Sequence, residues 1–175
     1  SELGNVPFNW SDPFLLNEQI SESEGLIKNT AENFALKELK PRIEKAYNDE
    51  LVDKEIFQRM GETGFLGCTI PEEYGGIGSS YVSYGLIARE IERIDSGYRS
   101  MMSVQSSLVM YPIYKFGNEN QRKKFLPRLA SGELIGCFGL TEPDYGSNPG
   151  GMITRAVEDG DGVVRDRPGQ APVRR

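Results

Sequence analysis

The chain has 175 residues, 38% of them hydrophobic and 26% charged, which is the balance of a soluble globular protein long enough to bury a core. Its net charge of −6 argues against nucleic acid or an anionic membrane surface as partner, and no apolar run approaches the length of a membrane span. It contains no histidine, which excludes a His-based triad, a His-containing zinc site and imidazole acid–base chemistry.

The amino terminus has neither a basic n-region nor an Arg-rich amphipathic start, so no signal or transit peptide is expected, although a processed mature chain would look the same. Residues 1–10 read as an extended arm, and Ser11-Asp12-Pro13 offers a cap with proline at a first helical position. Ser21-Glu22-Ser23-Glu24 is a capping box ahead of a segment in which Leu26, Ile27, Thr30, Phe34, Leu36 and Leu39 recur at helical spacing. Pro41 is expected to kink or break this helix. Asp53 should cap a third helix holding Ile56, Phe57 and Met60, with Gly64 just past its end.

Glycines 75, 76 and 78 predict a tight loop over Thr69–Ser79, either a plain connection or a wall near bound ligand. Ser80 opens a helix with Tyr84, Ile87, Ala88, Ile91 and Ile94 as its apolar stripe and Glu90, Glu92 and Arg93 off it. Ser96-Gly97 should end that helix, and another should run from Tyr98 to Met110, before Pro112. Its many small hydroxyl residues suit close packing by a neighbouring helix or a ligand equally. Asn118 caps a last helix with Arg122, Lys123 and Lys124 on a solvated face, Phe125 and Leu129 inward, Pro127 as a kink and Gly132 at the end. Helical character ends near Ser131 and β character should begin at Glu133. Cys68 and Cys137 both lie in apolar stretches, predicting two buried free thiols and a reducing compartment.

Leu134 to Leu140 reads as a short buried strand, followed by a loop of Gly, Pro, Asp and Asn. This is either a strand-to-loop junction that holds ligand or a strand followed by an ordinary turn. After Glu158 the composition turns polar and rich in Pro, Gly and Arg, which reads as a disordered or foreign tail over 159–175, as a truncation or frameshift would produce.

Three motifs carry a resemblance. Cys137-Phe138-Gly139-Leu140-Thr141-Glu142-Pro143, with Gly146-Ser147 after it, resembles the flavin-facing signature of the acyl-CoA dehydrogenases. Ile70-Pro71-Glu72-Glu73-Tyr74-Gly75-Gly76 resembles a second signature of that family. Asp95-Ser96-Gly97-Tyr98-Arg99-Ser100, with Ser103-Val104-Gln105-Ser106-Ser107, narrows the likeness to the glutaryl-CoA dehydrogenases. The likeness covers roughly Phe8 to Glu158.

The resemblance implies a mainly α fold. Residues 1–131 would be the family's N-terminal helical domain, and 132–158 the start of a truncated β domain. It implies FAD as cofactor, with Phe138, Leu140 and Thr141 facing the isoalloxazine ring. Ser147 would contact the CoA arm. Arg99 would hold the distal carboxylate of a glutaryl chain, with Glu92, Ser100 and Val104 lining the same pocket; without the resemblance it reads as an ordinary surface or ion-paired arginine. Asn148, where an aspartate is usual, and Tyr145, bulky for a Gly-rich turn, depart from the pattern.

The implied reaction is oxidation of glutaryl-CoA with decarboxylation to crotonyl-CoA, with electrons leaving through an electron-transfer flavoprotein, in a homotetramer. The location would be the bacterial cytoplasm or the mitochondrial matrix. The family's base glutamate lies far downstream and nothing here matches its motif. No catalytic residue and no metal ligand is therefore assigned, and Glu90, Glu92, Glu142 and Asp144 are not promoted to base. Two other readings stay open: a dehydrogenase for another acyl-CoA, and a non-catalytic helical module that binds CoA esters or a partner protein.

Overall fold

The computed structural model describes residues 8–159 and 162–166. The chain divides into two compact units, the first running through Phe138 and the second beginning at Gly139. The first is helical: α1 (Leu16–Gln19), α2 (Glu22–Phe34), α3 (Lys40–Asn48), α4 (Lys54–Glu62), α5 (Tyr81–Glu92), α6 (Ser96–Ser103), α7 (Tyr111–Phe116) and α8 (Glu119–Ala130). The second contains an antiparallel pair, β1 (Arg155–Asp159) and β2 (Gly162–Asp166), in register from Arg155 opposite Asp166 to Asp159 opposite Gly162. No described helix is long and apolar enough to cross a membrane.

Helix starts follow their caps. Ser21 and Asn118 each close a full capping box, with Glu24 and Gln121 reaching back to the cap N–H. Asp53, Ser80 and Asp95 each accept a backbone N–H at the head of α4, α5 and α6. Asp12 accepts from the N–H groups of Leu16 and Asn17, both at 2.9 Å, so it caps α1 from four residues upstream. Because Asp95 caps α6, Ser96-Gly97 forms that helix's first turn rather than the end of α5.

Neither Pro41 nor Pro112 stops its helix. Each is the second residue of an α segment (α3, α7) that comes directly after a π-helical stretch, Ala35–Leu39 and Val104–Met110. A proline ring clashes with the carbonyl four residues back and supplies no N–H. Widening the helix just ahead, with Lys40 N–H donating to Ala35 and Tyr111 N–H to Ser106, relieves the clash and lets the chain run on.

Two apolar clusters fill the first unit. The larger joins Phe34 and Leu39 to Ile56, Met60, Phe65, Ile87, Ile91 and Met102, with Phe34 and Phe65 edge to face at 5.3 Å. The smaller sets Ile70, Tyr74 and Met110 against Leu126, Leu129 and Ala130 of α8. Cys68 lies in the first cluster as a free thiol whose burial pushes its pKa up to about 11. Cys137 is free but exposed, against the expectation of two buried thiols. Glu90 also departs from expectation. It is only 2% exposed, with Arg89 donating to Oε1 at 2.9 Å and Arg93 to Oε2 at 2.8 Å, so its charge is paired on both oxygens.

The β prediction moves along the chain. Leu134 to Leu140 forms no strand, and the described strands begin at Arg155. Backbone in this stretch bonds to the helices instead: Leu134 N–H donates to the Arg128 carbonyl at 3.0 Å and Gly136 N–H to Gln105 Oε1 at 2.9 Å. Gly162–Asp166, in the tail read as disordered, is paired with β1. Asp159 ends β1, while residues 160–161 and 167–175 of that tail, and the first seven residues of the expected arm, lie outside the described residues.

Gly61 shows how closely α4 meets the end of α8. A Cβ there would lie 2.2 Å from the Ser131 carbonyl oxygen. Alanine in an open helix site gains up to about 1 kcal/mol over glycine, whereas overpacking costs about 1–3 kcal/mol. Gly61→Ala should therefore lower the urea midpoint of unfolding, and a raised midpoint would show that this contact is slack.

Candidate functional site

The corner between α5 and α6 gathers four of the residues singled out from sequence. Glu92 ends α5, and Arg99 and Ser100 sit one turn into α6. Val104 opens the π-helical stretch four residues after Ser100, on the same face. Asp95 fixes the turn by accepting the Tyr98 N–H at 2.9 Å. Tyr98 and Met102, buried on the opposite side of α6, turn Ser100 outward and leave Arg99 half-exposed.

Glu92 and Arg99 meet directly, with Arg99 Nε donating to Glu92 Oε2 at 2.5 Å. Ser96 Oγ donates to the other carboxylate oxygen at 2.6 Å. The Ser96 hydroxyl, and after it the Arg99 guanidinium, hold the Glu92 carboxyl below the usual carboxylate range. Among the described residues, nothing partners the two terminal nitrogens of Arg99. The guanidinium is thus oriented through its Nε edge, and its terminal fork remains open to a planar anion.

Gln105 is the residue that reading the sequence passed over. It is buried within the π-helical stretch, and its amide donates to the carbonyls of Leu129 at 2.9 Å and Leu134 at 2.7 Å while accepting from Gly136 N–H. Next to it, Ser106 Oγ donates to the Leu66 carbonyl at 2.8 Å. The signal in the sequence was one amide residue among small hydroxyls and apolar neighbours, which matches many surface positions as well. Two residues beyond Gly136, Phe138 is 48% exposed, so its ring is not part of the helical core.

The second unit places Leu140, 38% exposed, beside an exposed Thr141. Glu142 organises the loop that leads to β1. Its carboxylate accepts the N–H groups of Ile153 at 2.9 Å and Thr154 at 2.8 Å, at the entry to that strand. Ser147 is exposed on the same loop. Tyr145 fits here because Gly151 leaves room for its ring; a Cβ on Gly151 would come within 2.7 Å of it.

A profile of the acyl-CoA dehydrogenase N-terminal domain matches residues 21–133. The chain belongs to the acyl-CoA dehydrogenase family. It is 37% identical over 139 residues to an acyl-CoA dehydrogenase of Bacillus subtilis (strain 168), covering 79% of this chain and 37% of that protein. It is 36% identical over 146 residues to the mitochondrial short-chain specific acyl-CoA dehydrogenase of Mus musculus, covering 83% and 35%. Among solved structures, a glutaryl-CoA dehydrogenase from Mycobacterium smegmatis in complex with FADH2 superposes with a TM-score of 0.81 at 44% identity, covering 87% of this chain and 39% of that one. The chain therefore spans well under half the length of these relatives. FAD is the cofactor this family membership brings, and the mainly helical first unit is the family's N-terminal domain.

The Glu92 carboxyl, held low when folded, stabilises the corner above the ordinary carboxylate range, and that contribution is lost as pH falls through the lowered value. Ser96→Ala and Arg99→Ala should each raise the Glu92 pKa in a carbon-detected NMR titration. An unmoved Glu92 in both variants would mean that neither partner holds it.

Proposed function

We propose that this chain is the acyl-CoA- and flavin-binding N-terminal portion of a glutaryl-CoA dehydrogenase, with residues 1–131 as its helical domain and 132–158 opening its β domain. The observation that carries the substrate is the open fork of Arg99, aligned by Glu92 through Nε. A distal carboxylate meets that fork with two parallel charge-assisted bonds, and a neutral acyl chain does not. Ser100 and Val104 line the same side, the one offering a hydroxyl and the other a wall. Phe138, Leu140 and Thr141 are the residues that would hold the flavin, Thr141 through its hydroxyl, and Ser147 the one that would meet the CoA arm.

The chemistry FAD would supply when bound is acceptance of a hydride from the acyl β-carbon. This chain's residues orient the substrate and exclude water from it. The α-proton passes to a glutamate that no motif of this chain matches, so the chain alone binds without turning over. The whole protein would release crotonyl-CoA, pass its electrons to an electron-transfer flavoprotein, and work as a homotetramer in bacterial cytoplasm or mitochondrial matrix.

Calorimetric titration with glutaryl-CoA and butyryl-CoA tests the substrate. A hydrogen bond to a charged group is worth about 1.5–3 kcal/mol, so Arg99→Ala should weaken glutaryl-CoA roughly 10- to 100-fold and leave butyryl-CoA nearly unchanged. Equal losses would contradict the carboxylate role and favour another acyl-CoA. The flavin is tested by absorption after FAD addition and desalting. A retained band that glutaryl-CoA does not bleach anaerobically is expected. Bleaching would place a base within this chain, and a colourless protein would remove flavin binding from it, leaving a CoA-ester-binding module.

A further inference from the structure

We infer that Gln105 is a positioning residue that sets the Phe138 loop relative to the Arg99 corner, an inference that rests on the flavin and acyl-CoA reading above. Three bonds radiate from one buried amide: Nε2 to the carbonyls of Leu129 and Leu134, and Oε1 from the N–H of Gly136. The partners are two acceptors and one donor, so only one orientation of the amide satisfies all three. The bonds tie the end of α8, the strandless segment after it and the π-helical stretch into a single unit.

Gly136 is pressed onto the same stretch from the other side of the backbone. A Cβ there would lie 2.4 Å from Val109 Cγ1. The loop backbone thus rests directly on the Val109 side chain, with no room for a side chain of its own at 136, and among the described residues the loop has no strand partner. Val104, beside Gln105 on the chain, faces the proposed substrate side, and Phe138 comes two residues after Gly136. One widened helical stretch therefore carries a substrate wall on one residue and the anchor of the flavin-facing loop on the next. Shifting either moves both, because packed interiors transmit displacement rather than absorb it.

Hydrogen exchange followed by NMR, together with FAD affinity measured by flavin fluorescence, tests this on the 175-residue chain. Gln105→Met keeps the volume and removes all three bonds. The Gly136 amide should then exchange roughly 10- to 100-fold faster, the factor that a buried hydrogen bond carries, with the amides of α8 little changed. FAD should bind more weakly by a comparable factor. Gln105→Glu keeps an acceptor for Gly136 but sets its second oxygen against the Leu129 and Leu134 carbonyls, so it should restore protection and affinity only in part, and only where the carboxyl is protonated and can donate to one of them.

Unchanged Gly136 exchange in the Met variant, or equal acceleration throughout α8, would overturn the anchoring. Faster Gly136 exchange with unaltered FAD affinity would overturn the positioning role. A wild-type chain that holds no FAD at all would instead overturn the functional reading, while the exchange data still decide whether Gln105 anchors the loop.

Discussion

The arrangement depends on a helix made wider for seven residues. Val104–Met110 adopts π geometry immediately before Tyr111-Pro112, and the extra width absorbs the missing N–H and the ring clash of Pro112. The same geometry turns two consecutive polar residues, Gln105 and Ser106, into the interior, where each satisfies backbone groups of distant segments. Buried polar groups are costly unless bonded, so such a stretch is stable only if Leu66, Leu129, Leu134 and Gly136 are where it needs them. The requirement runs both ways, and it fixes a loop that has no strand partner among the described residues.

The second organising element is electrostatic. Glu90 and Glu92 sit two residues apart at the end of α5 and have opposite fates. Glu90 is enclosed, its charge matched by Arg89 and Arg93, and it serves the packing of the helices. Glu92 is exposed, held by Ser96 and Arg99 at the turn into α6, and it serves orientation. Surface ion pairs contribute little to stability, so the Glu92–Arg99 pair bears mainly on the orientation of the two side chains it joins.

Much of the helical unit was legible because its signals are local. The capping boxes at Ser21 and Asn118, the caps at Asp53 and Ser80, and the left-handed residues Gly64 and Gly132 behave as their types dictate. Ser96-Gly97 was misread as a helix end because Asp95, an equally good cap, lies one residue earlier. The hairpin of β1 and β2 was missed although Gly160-Asp161 between two runs containing valine is a turn signal; the polar composition of the tail outweighed it. Of the candidate site residues, Glu92 and Arg99 meet in the structure, whereas the bonds from Gln105 to the segment after α8 had as their only signal one amide among small hydroxyls.

By itself the sequence determined where helices start, which stripes are apolar, which family the motifs belong to, and that no imidazole chemistry is available. These outcomes stem from rotamer, cap and composition effects acting within a few residues. Tertiary structure decided that Pro41 and Pro112 would be passed, that Glu90 would be buried and Cys137 exposed, and that Leu134 and Gly136 would bond to helices rather than to a strand. Each of those outcomes depends on hydrogen-bond partners or packing neighbours far away in the chain. A strand has no pairing energy until another strand is beside it, and here the nearest donors and acceptors belonged to Gln105 and Arg128.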